Sequence, residues 1–205
     1  MWKALKIFYF FALIFHISAC KQKSRTTVST PVVQYKSDSM IEKVVVNVCD
    51  TFLKKEIVLT IKDTAKNVDL LNRKLNEIYT VRIPDFAKRY NLTITGVPMA
   101  WYSKKDSIFI FEAGLPVNKK LVDKPKNGNY KMIGGDSGVV AQFFGPYTGL
   151  HVAYDALDEF MKTNKKKPKA APYEIYVGKS YDDRGKAVNP YRVETDVVYP
   201  LKRMQ

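Results

Sequence analysis

The chain has 205 residues, 46% of them hydrophobic, and carries 34 Lys and Arg against 20 Asp and Glu, a formal net charge of +14. That apolar content excludes a disordered chain, and the length suits one domain of about 150 residues plus appendages. It holds two cysteines and two histidines; with His16 in an N-terminal leader, His151 alone remains, which excludes a two-histidine metal site or a haem clasp.

Residues 1–19 read as a secretory signal. Lys3 and Lys6 make a basic start, and Ile7 to Phe15 is unbroken and apolar, yet shorter than the roughly 20 residues that cross a bilayer core. Ile17-Ser18-Ala19-Cys20 resembles a lipobox, which implies lipidation at Cys20 and a lipoprotein tethered to a bacterial membrane on its extracytoplasmic, periplasmic-facing side. Cys49 is then left without a disulfide partner and is expected to pack as a small hydrophobe, with a Cys49–His151 nucleophile pair as the alternative. Residues 20–40, rich in Ser, Thr, Lys and Gln, form a flexible tether, and 41–205 form the domain.

Within the domain, Val44–Val48 and Ile57–Ile61 are β-rich runs, the second alternating as a half-buried strand does. Asn67 to Tyr90 is helical, with Leu71, Leu75, Ile78 and Phe86 on one face and Pro84 dividing it in two. Leu92–Tyr102, interrupted by Gly96 and Pro98, and Ser107–Val117 are strands. Asn118–Gly138 reads as a turn-rich connector. A strand from Val139 ends at Gly145-Pro146, and a helix capped by Thr148 follows, with Leu150, Tyr154, Leu157 and Met161 on its apolar face. His151 falls on the polar face with Asp155 and Asp158. Strands at Tyr173 and near Val193 close the chain. Lys165-Lys166-Lys167, near Lys162 and Lys169, reads first as a solvated loop and alternatively as a patch for an acidic partner.

An internal repeat sets the architecture. Val97-Pro98-Met99-Ala100-Trp101-Tyr102 mirrors Ala171-Pro172-Tyr173-Glu174-Ile175-Tyr176. Phe111-Glu112-Ala113-Gly114-Leu115-Pro116-Val117 mirrors Thr195-Asp196-Val197-Val198-Tyr199-Pro200-Leu201. Each half, about 55–117 and 138–202, is β-α-β-β. The predicted fold is α+β: two pseudo-symmetric repeats forming one antiparallel sheet with the helices on one face. A groove is expected along the pseudo-twofold seam.

Gly145-Pro146-Tyr147-Thr148-Gly149-Leu150 with Ala153-Tyr154, the two closing strands and the Phe111–Val117 block together resemble GyrI-like small-molecule-binding domains, the effector-binding domains of AraC-type and multidrug-sensing regulators. The likeness covers roughly residues 55–202 and departs at Asp196, where the family more often has Glu. It implies the same sheet and a groove in which an acidic residue and aromatic walls hold cationic or amphiphilic aromatic compounds.

The repeat puts Glu112 and Asp196 at equivalent positions. A Glu between Phe111 and Ala113 is costly to bury without a partner, and an acidic group among rings suits a flat cation. The residues predicted to contact ligand are therefore Trp101, Glu112, Tyr147, Tyr176, Asp196 and Glu174, with an edge-strand surface position as the alternative for Glu112. No catalytic residue, metal or cofactor is expected, and the expected partners are a small organic molecule and, through Cys20, a membrane, but no nucleic acid. The competing expectation is a hydrolase of reactive electrophiles, with Glu112, Glu174 or Asp196 as general base and Tyr147 or Tyr176 as proton donor. A gyrase-inhibitor role fits an extracytoplasmic protein poorly.

Overall fold

In the computed structural model, residues 28–29, 43–105 and 108–202 are described. The expected signal, Cys20 and most of the expected tether lie outside them. Among the described residues no helix is long and apolar enough to cross a membrane.

Among the described residues the β-formers of the sequence build nine strands: β1 Val28–Ser29, β2 Val45–Phe52, β3 Glu56–Ala65, β4 Met99–Lys105, β5 Ile108–Val117, β6 Gly128–Ile133, β7 Ser137–Phe144, β8 Tyr173–Tyr176 and β9 Glu194–Pro200. They form one sheet in the order β1-β2-β7-β9-β8-β4-β5-β3-β6, and every neighbouring pair is antiparallel. The repeat is plain in that order. β3, β4 and β5 make one half, β7, β8 and β9 the other, and the halves join through a short β4–β8 pairing in which Met99 opposes Ile175 and Ala100 opposes Glu174. Val28 and Ser29, inside the expected tether, pair with Val48 and Asn47 of β2.

Two features differ from the sequence reading of the connections. The expected connector Asn118–Gly138 contains a strand, β6, which pairs with β3 from Glu56↔Ile133 to Ile61↔Gly128. The helix from Asn67 is not broken at Pro84. α1 Val68–Glu77 passes through a π turn, Ile78–Arg82, into α2 Ile83–Arg89. Proline supplies no N–H and crowds the preceding turn; the wider π turn just before it lets the helix continue. The start of α1 is as the residues suggest, the Asn67 side chain accepting from the Leu70 amide at 2.8 Å. In the second half, Thr148 does not cap the helix. It lies in a 3-10 turn, Tyr147–Gly149, ahead of α3 His151–Thr163, and its carbonyl accepts from the exposed His151 ring at 3.3 Å.

Both helical segments pack on the same side of the sheet. α1 and α2 bury Leu71, Ile78, Ile83 and Phe86 against Leu59, Ile61, Phe111 and Ala113, and α3 buries Ala153, Leu157 and Met161 against Val139, Ala141, Phe143 and Val197. The alternate residues of the same strands point the other way. Val58, Met99, Val140, Tyr173 and Val198 form a separate buried cluster on the other side, which is helix-free among the described residues, joined by Trp101 and Ile175. Period-two alternation therefore has apolar residues on both faces, as central strands of a covered sheet require. Cys49, one residue on from the helix-side Val48, points to the helix-free side, so it faces away from His151 on α3.

Candidate ligand-binding site

At the seam, strand parity decides what each half offers. β4 and β8 present Ala100, Tyr102, Glu174 and Tyr176 to the helix side and Trp101, Tyr173 and Ile175 to the other. Tyr102 and Tyr176 are equivalent positions of the repeat, and their hydroxyls meet across the seam at 2.5 Å. Ala100 and Glu174 are also equivalent, so the second half alone contributes a carboxylate there.

Glu174 is buried, only 7% exposed, and both of its oxygens are satisfied. Tyr154 of α3 donates to Oε1 and Tyr176 to Oε2, each at 2.8 Å. Because a phenol has a single proton to give, Tyr176 must accept from Tyr102. The result is a directed chain, Tyr102 to Tyr176 to the Glu174 carboxylate. Tyr79, on the π turn, holds its place by donating to the Met99 carbonyl at 2.9 Å and sets its ring edge-on to Tyr176, centroids 6.2 Å apart. From the other side Tyr147 stands edge-on to Tyr176 at 5.8 Å. Thr195, fully buried, lies opposite Tyr176 in β9. Tyr147 is 49% exposed and is the outermost ring of the group.

Burial raises the Glu174 carboxyl above its ordinary range, and the Tyr176 and Tyr154 hydrogen bonds pull it part of the way back. Burial likewise raises the phenols of Tyr79, Tyr102, Tyr154 and Tyr176, reinforced at each by nearby Glu174. The tyrosines are thus fixed as donors, and Glu174 is the group whose charge can change. The arrangement is a single acidic centre under a wall of electron-rich rings, which suits a cation.

The other predicted residues lie across the sheet. Trp101 and Glu112 are opposed in register on β4 and β5, facing away from the helices. Glu112 accepts from Thr60 at 2.5 Å and pairs with Lys131 at 2.8 Å, so neither an edge-strand surface nor a bare buried charge describes it. Asp196, equivalent to Glu112 in the repeat, opposes Ile175 on the same face. Its Oδ1 is buried with no hydrogen-bond partner among the described residues, and burial, with Glu194 nearby, pushes its carboxyl up to about 7. The structure brings Glu174, Tyr147 and Tyr176 together and puts Trp101, Glu112 and Asp196 on the opposite face; the six do not line one groove. Tyr79, Tyr102 and Tyr154 belong to the helix-side group and were not singled out from sequence. The repeat carried a usable signal for Tyr102, the partner of Tyr176, and Tyr154 sat on the apolar stripe of its helix.

No protein-family model matches the sequence, and no curated protein is significantly similar to it in sequence. Solved structures are similar. The C-terminal domain of EcmrR aligns with a TM-score of 0.63 at 17% identity, over 78% of this chain and 99% of that one. EcmrR in its complex with DNA gives 0.61 at 17% identity, over 78% of this chain and 58% of that one. A hydrolase from Listeria innocua gives 0.53 at 11% identity, over 76% of this chain and 91% of that one. This chain therefore spans little more than half of the EcmrR chain seen with DNA. At these identities the likeness is one of fold alone: an α+β fold with a single antiparallel sheet, shared with the EcmrR C-terminal domain.

Proposed function

We propose that this protein is a small-molecule-binding module that captures flat organic cations or amphiphilic aromatic compounds on the helix side of its seam. The observation that carries the proposal is Glu174: a carboxylate 7% exposed, held between Tyr154 and Tyr176 and walled by Tyr79, Tyr102 and Tyr147. A cation there meets a charge in low dielectric and several ring faces or edges, and cation–π contacts add roughly 1–2 kcal/mol when desolvated. Tyr147, the most exposed of the rings, is the one whose movement opens the way in. The shared fold with the EcmrR C-terminal domain is compatible with this reading. The lipobox-like Cys20 extends the proposal to a lipid-anchored protein on the extracytoplasmic side of a bacterial membrane, with no nucleic-acid partner.

The test is calorimetric titration of the protein with benzyltrimethylammonium and with its neutral carbon isostere neopentylbenzene, using the parent and Glu174→Gln. The expected result is saturable binding of the cation, weakened about tenfold by the substitution, and little discrimination between cation and isostere in the variant. Equal cation affinity in parent and variant overturns the proposal.

A hydrolytic reading is favoured by one feature, the directed hydroxyl chain ending on Glu174, and two structural neighbours bear the name hydrolase. In it Glu174 takes a proton from water, the water oxygen bonds to a strained carbon such as that of an epoxide, and a tyrosine protonates the departing oxygen. Diol formation from styrene oxide that disappears in Glu174→Gln would decide for this reading; binding without turnover decides for the module.

A further inference from the structure

The helix-free face holds a cavity of about 320 Å³ that the helix-side site does not use. Leu53, Trp101, Ile133, Tyr173 and Pro200 are among its walls, and Lys131, Lys169 and Asp136 are its charged lining. We infer that this cavity is a second ligand site, selective for one- or two-ring aromatic compounds that carry an anionic group such as a carboxylate.

Its shape is built in. The segments linking β2 to β3 and β6 to β7 cross there, with the Leu53 amide donating to the Asp136 carbonyl at 2.9 Å and the Gly135 amide to the Leu53 carbonyl at 2.8 Å. Gly134, at φ +67, sits so close to the Lys54 carbonyl that a Cβ would come within 1.9 Å of its oxygen. That wall is therefore fixed by backbone rather than by side chains that can fold away. On the other side the Lys169 amide donates to the Pro200 carbonyl at 2.7 Å, holding the Lys169–Ala171 segment against the end of β9. Behind these the floor is apolar and aromatic: the Trp101 and Tyr173 rings lie 5.3 Å apart and 31° from parallel, and both belong to the buried cluster of that face. A concave, largely apolar site with a few polar groups on its rim is the usual form of a small-ligand pocket, and this volume lies at the small end of the range.

The charge it shows a ligand is basic. Lys131 pairs with Glu112 at 2.8 Å while its Nζ lies 4.3 Å from the Trp101 ring centre. Glu112 is not part of the lining; it sits beneath, accepting from Thr60, and fixes Lys131 in place. An ammonium has three protons. One goes to Glu112 and one faces the indole, leaving one for an incoming anion. Lys169 is ion-paired with Asp136 and still 56% exposed, a second cation at the rim. Each lysine is balanced by one carboxylate, but the lysine side chains are 31% and 56% exposed and their partners Glu112 and Asp136 only 10% and 14%, so the ammonium groups are what a ligand in this cavity meets and an anion is favoured there.

The test uses the full chain carrying Trp2→Phe, so that Trp101 is the single tryptophan, labelled with ¹⁵N. Its indole N–H resonance is followed on titration with 2-naphthoate and with the neutral 2-naphthalenemethanol. The expected result is a saturable shift with 2-naphthoate, weakened about fivefold by Lys169→Gln and by Lys131→Gln, with the preference over the alcohol reduced in both. Ala171→Phe, which fills the cavity from its rim without touching an ion pair and adds no second indole, is expected to abolish the shift, and Glu174→Gln to leave it unchanged. The inference is overturned if 2-naphthoate causes no saturable shift, if the acid and the alcohol bind alike in the parent, if Ala171→Phe binds as the parent does, or if Glu174→Gln removes binding.

Discussion

Asp196→Asn should stabilise this protein at neutral and alkaline pH and leave it unchanged in acid. In the folded chain the Asp196 carboxyl is raised from 3.8 to about 7, first by burial and then by Glu194, and its Oδ1 is buried without a hydrogen-bond partner among the described residues. A raised carboxyl binds its proton more tightly in the folded than in the unfolded state. Stability therefore falls as pH rises from the unfolded value through the folded one and is flat above it. At about 1.4 kcal/mol per pH unit the ceiling on that loss is about 4 kcal/mol, and the partial exposure of the side chain brings the expected figure nearer 2 kcal/mol. Asparagine keeps the shape and removes the charge. Urea unfolding of parent and variant at about pH 4 and about pH 8 measures the difference directly. The expected outcome is equal stability in acid and a variant more stable by about 2 kcal/mol at the higher pH. A variant no more stable than the parent at about pH 8 refutes the reasoning, because an ionised Asp196 would then cost the fold nothing.

Further outcomes follow from single contacts. Tyr176→Phe deletes the donor to Glu174 Oε2 and the acceptor for Tyr102, so it should lower unfolding stability by about 2 kcal/mol near neutral pH and raise the Glu174 pKa further, read by carboxyl NMR. Gly134→Ala meets the Lys54 carbonyl oxygen at 1.9 Å at positive φ and should cost about 2 kcal/mol or more; thermal melts check it. Cys20→Ala should release the protein from the membrane fraction of the expressing cell and abolish incorporation of labelled palmitate, if Cys20 carries lipid as its lipobox-like setting implies.

The β-α-β-β repeat was legible because its strands alternate and because paired prolines, Pro116 and Pro200, stand at or next to the last residue of equivalent strands. β6 was not. Its sequence, GNYKMI, buries only Tyr130, as an edge strand does, and a strand so weakly patterned reads as the turn residues that flank it. The π turn was hidden for another reason: Pro84 announces a missing donor but not how the backbone absorbs it. At the proposed site, Glu174, Tyr147 and Tyr176 could be named from the sequence as candidates because their residue types suit a cation. Period two showed that Phe109 and Phe111 point away from Glu112 within their strand. It could not show which parity of each strand faces the helices, since that follows from pairings between residues about 75 positions apart, such as Ala100 with Glu174. Glu112 drew attention as a charge in an apolar run, and its partners, Thr60 and Lys131, arrive from β3 and from the strand that the sequence concealed.

The most direct test of the helix-side site is the pH dependence of cation binding. Benzyltrimethylammonium has no proton to exchange, so any change in its affinity between about pH 5 and about pH 8.5 reports on the protein. Because Glu174 is raised above the ordinary carboxyl range by burial, it takes up its proton as pH falls, and the charge that holds the ligand is lost. The affinity of the parent should decline toward acid, and that of Glu174→Gln should be weak and flat across the range. A parent affinity independent of pH, or a variant that keeps the parent's pH dependence, would contradict the assignment of Glu174 as the ligand's counter-charge.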